Sequence, residues 1–125
     1  MSLLHAHLVF VTKYRRQVFT DAMLTYCEST MRAVCADLDA DLVEFNSEAD
    51  HVHLLVAYPP TLAISVLAQR LKGRAAYEMR REYTGPCVRA RMRGHLWSPS
   101  YIAVSCGGAP LSIIKQYIDG QARPL

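Results

Sequence analysis

The chain has 125 residues, of which 51% are hydrophobic and 20% charged. This length suits one compact domain, and we expect residues 1–125 to form it without repeats or linkers. No apolar run approaches the roughly 20 residues that a membrane-spanning helix needs. The composition therefore excludes a helical membrane protein, and we expect no membrane partner.

The cysteines favour a reducing compartment. None of the four forms a CxxC pair, and Cys27 and Cys35 lie eight residues apart within a helical pattern. That spacing is typical of buried thiols rather than of a disulfide or zinc framework. We therefore expect a cytoplasmic protein.

Charge is distributed unevenly along the chain. Residues 21–50 contain eight acidic side chains and one basic, whereas residues 70–93 contain eight basic and two acidic. This asymmetry predicts a basic side that attracts a polyanion, although a solvated helix face explains such a run about as well. A second basic cluster, Lys13-Tyr14-Arg15-Arg16, places an aromatic ring among cations, which is common where phosphates and unstacked bases are bound.

The first half of the chain predicts a strand, a helix and two strands. Residues 5–12 are rich in β-branched and aromatic types, and Thr20 is a suitable N-cap for the following helix. Residues 42–47 and 51–58 form the next two strands, the second ending at a proline pair. The helix has an apolar stripe at spacings of three and four, comprising Leu24, Cys27, Met31, Val34, Cys35 and Leu38.

The second half predicts a helix, a strand and a final helix. Thr61 caps the first of these helices, whose apolar stripe is Ile64, Leu67, Leu71 and Ala75. A basic loop over 86–95 and a strand over 101–105 follow, and Pro110 begins a helix that continues through residue 121. The order βαββαβ plus a helix predicts an α+β, ferredoxin-like antiparallel sheet with helices on one face.

Two histidines on the third strand are candidate metal ligands. Side chains alternate across a strand, so His51 and His53 share one face, where both can reach one ion. The pattern occurs often by chance, as His5 and His7 on the first strand illustrate, and a plain pair of exposed histidines is the simpler explanation. Asp50 is interpreted as flanking the strand, with orientation of His51 as the alternative.

The last helix strengthens the metal hypothesis. Tyr117 and Gln121 are four residues apart and share a helical face. A tyrosine can attack phosphorus if a cation neutralises the developing charge, and a glutamine carbonyl oxygen can bind Mg²⁺ or Mn²⁺. A tyrosine that buries its ring and exposes its hydroxyl is the competing interpretation.

Four ordered blocks carry a resemblance to a known family. His51-Val52-His53 resembles the His-hydrophobic-His signature of HUH endonucleases, and its surroundings resemble the single-tyrosine transposases of hairpin-ended bacterial insertion sequences. The likeness extends over nearly the whole chain and includes REP-associated tyrosine transposases as relatives. The other three blocks are Val11-Thr12-Lys13-Tyr14-Arg15-Arg16, Leu96-Trp97-Ser98-Pro99-Ser100-Tyr101, and Gly107-Gly108-Ala109-Pro110 leading into Lys115-Gln116-Tyr117-Ile118.

The resemblance implies a metal-dependent enzyme that cuts and rejoins single-stranded DNA. His51, His53 and Gln121 would hold one divalent cation, Mg²⁺ or Mn²⁺, and Tyr117 would form a 5′-phosphotyrosine. The implied partners are single-stranded DNA with a subterminal hairpin and a second copy of the chain. The implied DNA-binding residues are Lys13, Tyr14, Arg15, Arg16, Arg70, Lys72 and Arg74.

Two alternatives stay open. The first is a domesticated HUH nuclease that acts on chromosomal repeats, since its chemistry would be the same. The second is a non-catalytic single-stranded nucleic-acid binding module built on the same sheet. Such modules place stacking aromatics on the open face, where the third strand instead offers two histidines. Trp97 is expected to pack in a core or interface rather than to stack on a base.

Overall fold

A computed structural model of the chain describes residues 3–13, 19–83, 85 and 96–105. A four-stranded sheet has the order β2-β3-β1-β4, and each neighbouring pair of strands is antiparallel. The predicted ferredoxin-like α+β fold is confirmed. The elements in chain order are β1 (Leu4–Val11), α1 (Asp21–Asp37), β2 (Asp41–Glu48), β3 (His51–Tyr58), α2 (Ile64–Glu82) and β4 (Ile102–Ser105).

Alternation along the strands separates the sheet into two faces. One face packs on α1 and α2, and its central side chains from β1 and β3 are fully buried, which removes apolar surface of the sheet and of the helices from water. We term this the helix face; its central members are Leu8, Phe10, Val52, Leu54 and Val56. The other face, here the histidine face, carries His7, Val9 and Val11 of β1 and His51, His53 and Leu55 of β3.

The helices begin differently. Thr20 caps α1 as predicted, since its hydroxyl accepts a hydrogen bond from the Met23 amide at 3.3 Å. The predicted Thr61 cap of α2 is wrong. Ala63 occupies the N-cap position without a side-chain hydrogen bond, because the chain makes a turn in which the Leu62 amide donates to the Pro59 carbonyl.

Two further predictions concern burial. Cys27 and Cys35 are buried free thiols of α1, as their spacing predicted. Burial raises the pKa of Cys27 to about 12 and that of Cys35 to about 11, since a thiolate is poorly solvated there. Within the described ranges, no helix is long and apolar enough to cross a membrane. The predicted loop over 86–95 and the last helix lie outside the described residues.

Candidate metal centre and nucleic-acid surface

His51 and His53 lie side by side on the histidine face. The antiparallel register pairs His51 with Val11 and His53 with Val9, and both imidazoles are half-buried. The predicted shared face of the two histidines is therefore confirmed. Strand β2 adds polar neighbours, because Glu48 pairs with His51.

Asp50 holds His51 in place. Its Oδ1 lies 2.9 Å from His51 Nδ1, and the residue is only 4% exposed. Thr12 fixes the same turn, since its amide and hydroxyl both donate to the Asp50 carbonyl, at 2.9 and 3.1 Å. Asp50 flanks β3 as interpreted, and its buried carboxylate also faces the His51 ring, in agreement with the alternative that it orients His51. With Nδ1 so engaged, Nε2 is the nitrogen that His51 can present to a ligand.

The ligand-type atoms that meet here differ in part from the predicted set. Glu48, Asp50 and His51 each place one such atom within 4.8 Å of the others. Carboxylate oxygens with an imidazole suit Mg²⁺ or Mn²⁺. Sequence reasoning missed Glu48; the signal was its position at the end of the strand that pairs with the histidine strand. Gln121 and Tyr117 lie outside the described residues, so their assignments stay predictions.

A third histidine contacts His53. His7 Nδ1 lies 2.9 Å from His53 Nε2, and the two ring centroids are 5.1 Å apart. The pKa of His53 is lowered, chiefly by burial and further by His7 and His51, while Glu44 opposes the shift. A neutral imidazole is the form that binds cations. The sequence alone did not predict this contact, because His7 was taken only as an example of how often two histidines two residues apart occur by chance.

Lys72, a predicted DNA contact, is engaged within the protein. Its ammonium donates to the carbonyls of Ser98 and Pro99, at 2.9 and 3.4 Å, and lies 5.4 Å from the Tyr101 ring centroid. Burial lowers its pKa. Trp97 joins the same segment to α2, because its Nε1 donates to the Lys72 carbonyl at 3.1 Å. Trp97 is buried in the core, as predicted. Lys72 therefore anchors the segment that leads into β4.

Arg70 and Arg74 line a groove of about 550 Å³ between α1 and α2. Arg74 Nη2 is 3.4 Å from Oε1 of the buried Glu78, while the Arg74 side chain itself stays 60% accessible. Tyr77, missed in the sequence, is 53% exposed beside the guanidinium groups of Arg74 and Arg81, 5.9 and 5.7 Å from its ring centroid. The exposed outer side of α2 thus combines cations with an aromatic ring.

Lys13 stands at the end of β1, where its amide donates to the Leu96 carbonyl at 3.0 Å. Tyr14, Arg15 and Arg16 fall outside the described residues. The DNA-binding roles assigned to all of these residues stay predictions.

The fold and site together define an α+β protein with a cluster of candidate metal ligands on the histidine face of its sheet. Comparison with known families identifies it further. Residues 1–121 match the family described as "Transposase IS200 like". The chain belongs to the IS200-like transposase family.

Individual relatives agree with this assignment. The chain is 30% identical over 119 residues to the ISDra2 transposase TnpA of Deinococcus radiodurans, covering 94% of this chain and 84% of the relative. It is also 30% identical over 115 residues to the transposase for insertion sequence element IS200 of Salmonella typhimurium, covering 92% and 74%.

Solved structures are similar in fold. A crystal structure of a Deinococcus radiodurans protein described as a transposase has a TM-score of 0.87 at 30% identity and covers 99% of this chain and 95% of its own. A REP-associated tyrosine transposase bound to a REP hairpin has a TM-score of 0.62 at 11% identity, covering 95% and 64%. The second likeness supports the fold alone.

Proposed function

We propose that this transposase cuts and rejoins single-stranded DNA through a covalent bond to Tyr117, with Mg²⁺ or Mn²⁺, to excise and insert an insertion sequence. The observation that carries the proposal is the paired placement of His51 and His53 on one sheet face, beside a buried carboxylate. A member of this family with that arrangement has the donors for a phosphate-bound cation.

The chemistry of the donors fits a divalent ion. The Asp50 carboxylate fixes His51 with Nε2 available, and the lowered pKa of His53 favours its neutral, cation-binding form. We assign His51, His53 and Gln121 as ligands, with Glu48 as a neighbouring oxygen donor. A bound divalent cation supplies charge stabilisation at the scissile phosphate and orients it.

Tyr117 is the proposed nucleophile. Its phenol oxygen forms a bond to the scissile phosphorus while the bond from phosphorus to the 3′ oxygen breaks. The phenol proton passes to solvent, the 3′ oxygen gains a proton and leaves as a hydroxyl, and the 5′ side stays on the tyrosine. Attack by another 3′ hydroxyl on this phosphotyrosine releases Tyr117 and joins the strands. Each step exchanges one phosphoester bond for another, so ATP is not needed.

The proposed substrate is single-stranded DNA with a subterminal hairpin, bound by a homodimer in the cytoplasm. Among the predicted contacts that the structure describes, Arg70 and Arg74 are the best placed, because both residues line an open groove. Lys72 has less freedom to bind a phosphate, since two carbonyls already accept from its ammonium. Lys13, Tyr14, Arg15 and Arg16 form the second proposed contact region.

A covalent-capture assay on denaturing gels tests the reaction. Wild type and Tyr117→Phe are mixed with single strands from both flanks of the gene, in Mg²⁺, Mn²⁺ or EDTA. We expect an adduct that needs the cation, forms on one strand only and is absent in the Phe variant. Tyr77→Phe is the matched control, because it removes an exposed hydroxyl elsewhere and should leave the adduct unchanged.

The remaining outcomes decide between the alternatives. Binding on native gels without an adduct under any cation would overturn the nuclease proposal in favour of a binding module. Adducts that form on chromosomal repeats but not on the flanks would identify a domesticated nuclease.

A further inference from the structure

His7 of β1 is the diagonal neighbour of His53 across the β1–β3 ladder. The register places His7 opposite Leu55 and His53 opposite Val9, so the histidines stand on the same face two positions apart. The rings are inclined by 42° and meet through His7 Nδ1 and His53 Nε2 at 2.9 Å. Both side chains are half-buried. The two rings therefore approach each other through nitrogen atoms rather than through their faces.

Two of the tautomer combinations of the neutral rings matter at this contact. A hydrogen bond requires a proton on one of the two nitrogens and a lone pair on the other. Each neutral imidazole carries a single N–H, which can occupy either ring nitrogen. When both rings carry that proton on the distant nitrogen, two lone pairs meet at the contact. Only a tautomer shift within one ring separates the two states, and the number of protons does not change.

The separation of the two nitrogens suits a shared ion. Bonds from imidazole nitrogen to a metal are about 2.0–2.1 Å long. Two ligands at right angles around one ion are then about 2.9–3.0 Å apart, by simple trigonometry on that bond length. The observed 2.9 Å between His7 Nδ1 and His53 Nε2 matches this spacing, although it is also the distance of the hydrogen bond between the two rings.

We propose that His7 Nδ1 and His53 Nε2 jointly bind a divalent transition-metal ion, which makes His7 a metal ligand together with His53. The inference rests on the proposed function, because it takes His53 as a metal ligand. Imidazole nitrogens favour ions such as Co²⁺, Ni²⁺ and Zn²⁺, whereas Mg²⁺ favours oxygen. His7 therefore gives the site a preference for transition metals over Mg²⁺.

Metal titrations on the untagged, full-length protein test this preference. Co²⁺ binding is followed by its visible absorption and by calorimetry, and Mg²⁺ binding by calorimetry, for wild type, His7→Leu and His53→Leu. His5→Leu is the matched control, because His5 lies on the same face of β1 but is exposed. Thermal unfolding without metal shows whether each variant folds.

We expect His7→Leu to weaken Co²⁺ binding at least about tenfold and to shift the absorption band, with Mg²⁺ affinity nearly unchanged. His5→Leu should behave as wild type. His7→Asn keeps a hydrogen-bonding group near the position of Nδ1. This second variant controls for the polar contact that the leucine variant loses. It should lose Co²⁺ affinity as the Leu variant does.

Other results overturn the inference in distinguishable ways. An unchanged Co²⁺ affinity in His7→Leu, with loss in His53→Leu, would remove His7 from the ligands and leave the proposed function intact. Equal losses of Co²⁺ and Mg²⁺ would make His7 a positioning residue instead. A wild-type protein that binds neither ion would overturn the metal requirement of the proposed function as well.

Discussion

The two faces of the sheet are built from alternate residues of the same strands, yet their side chains on β3 differ in burial and in polarity. On β3, Val52 and Leu54 are fully buried against the helices, while His51 and His53, which alternate with them, are half-buried and contact polar groups. Adjacent residues thus serve different purposes, one contributing to the free energy of unfolding and the next to the proposed metal binding. Stability and proposed activity can therefore be changed separately on a single strand.

This difference in burial does not hold for every strand, because β1 buries side chains on both faces. Val9 and Val11 lie on the histidine face but are fully buried, with Ile102 of β4 packed against them. The histidines therefore stand beside an apolar patch rather than in open solvent. Such a surrounding strengthens electrostatic interactions with a bound phosphate or cation, since fewer water molecules screen them.

The largest expected contrast comes from two neighbouring substitutions. His53→Ala should reduce adduct formation at least about a hundredfold, because the cation contributes several kcal/mol to the transition state. Leu54→Ala should instead lower the free energy of unfolding by about 2–5 kcal/mol, the usual range for a core leucine. Adduct yield and urea unfolding are measured on both variants. A His53→Ala protein that unfolds as early as Leu54→Ala would contradict the division between the faces.

Most of the fold follows from patterns that the sequence displays. Residues 51–58 were predicted as a strand with these bounds, because β-branched residues alternate there and a proline pair ends the run. The predicted strand over 5–12 is one residue off, since Thr12 leaves the ladder to form an isolated bridge with Trp97. The false Thr61 cap has a similar cause, because a local turn decides where α2 begins and residue type alone does not reveal it.

The candidate site was harder to predict from the sequence than the fold. The shared face of His51 and His53 follows from alternation, but Glu48 and His7 join it only through strand pairing. Pairing depends on contacts between residues far apart in the chain, 46 positions in the case of His7 and His53. Lys72 illustrates the same limit, because its carbonyl partners at Ser98 and Pro99 cannot be inferred from a basic run.

A smaller effect is expected at the buried carboxylate behind His51. Asp50→Asn keeps the shape of the side chain but removes the charge that orients the ring, so Mn²⁺ affinity should fall about 10–100-fold. The fold should persist, since the Thr12 contacts are made to the Asp50 backbone carbonyl. Mn²⁺ titration by electron paramagnetic resonance measures the change. Glu44→Gln, on the exposed part of β2, serves as the control, and an equal loss there would indicate a general field effect rather than orientation of His51.

A polar cluster also lies on the helix side of the molecule. Substitutions there can show whether its charges affect stability rather than ligand binding. Glu78 of α2 is 7% exposed and accepts hydrogen bonds from the Tyr26 hydroxyl of α1 at 2.7 Å and from Arg81 at 2.8 Å. The Tyr26 bond, with Arg81 and Arg74, holds the Glu78 pKa below its usual value, against the opposing effect of burial.

The smallest expected effect is the pH dependence that follows from this cluster. A lowered pKa in the folded state means that ionised Glu78 stabilises the fold above its unfolded pKa of about 4.5, and that this stability is lost as the pH falls through the folded value. Glu78→Gln should therefore melt below wild type at about pH 7, with the gap narrowing at about pH 3. Glu82→Gln, one turn later and exposed, is the control and should match wild type. A gap that stays constant across this range would assign the effect to the shape of the amide, whereas a closing gap shows that the ionised carboxylate joins α1 to α2.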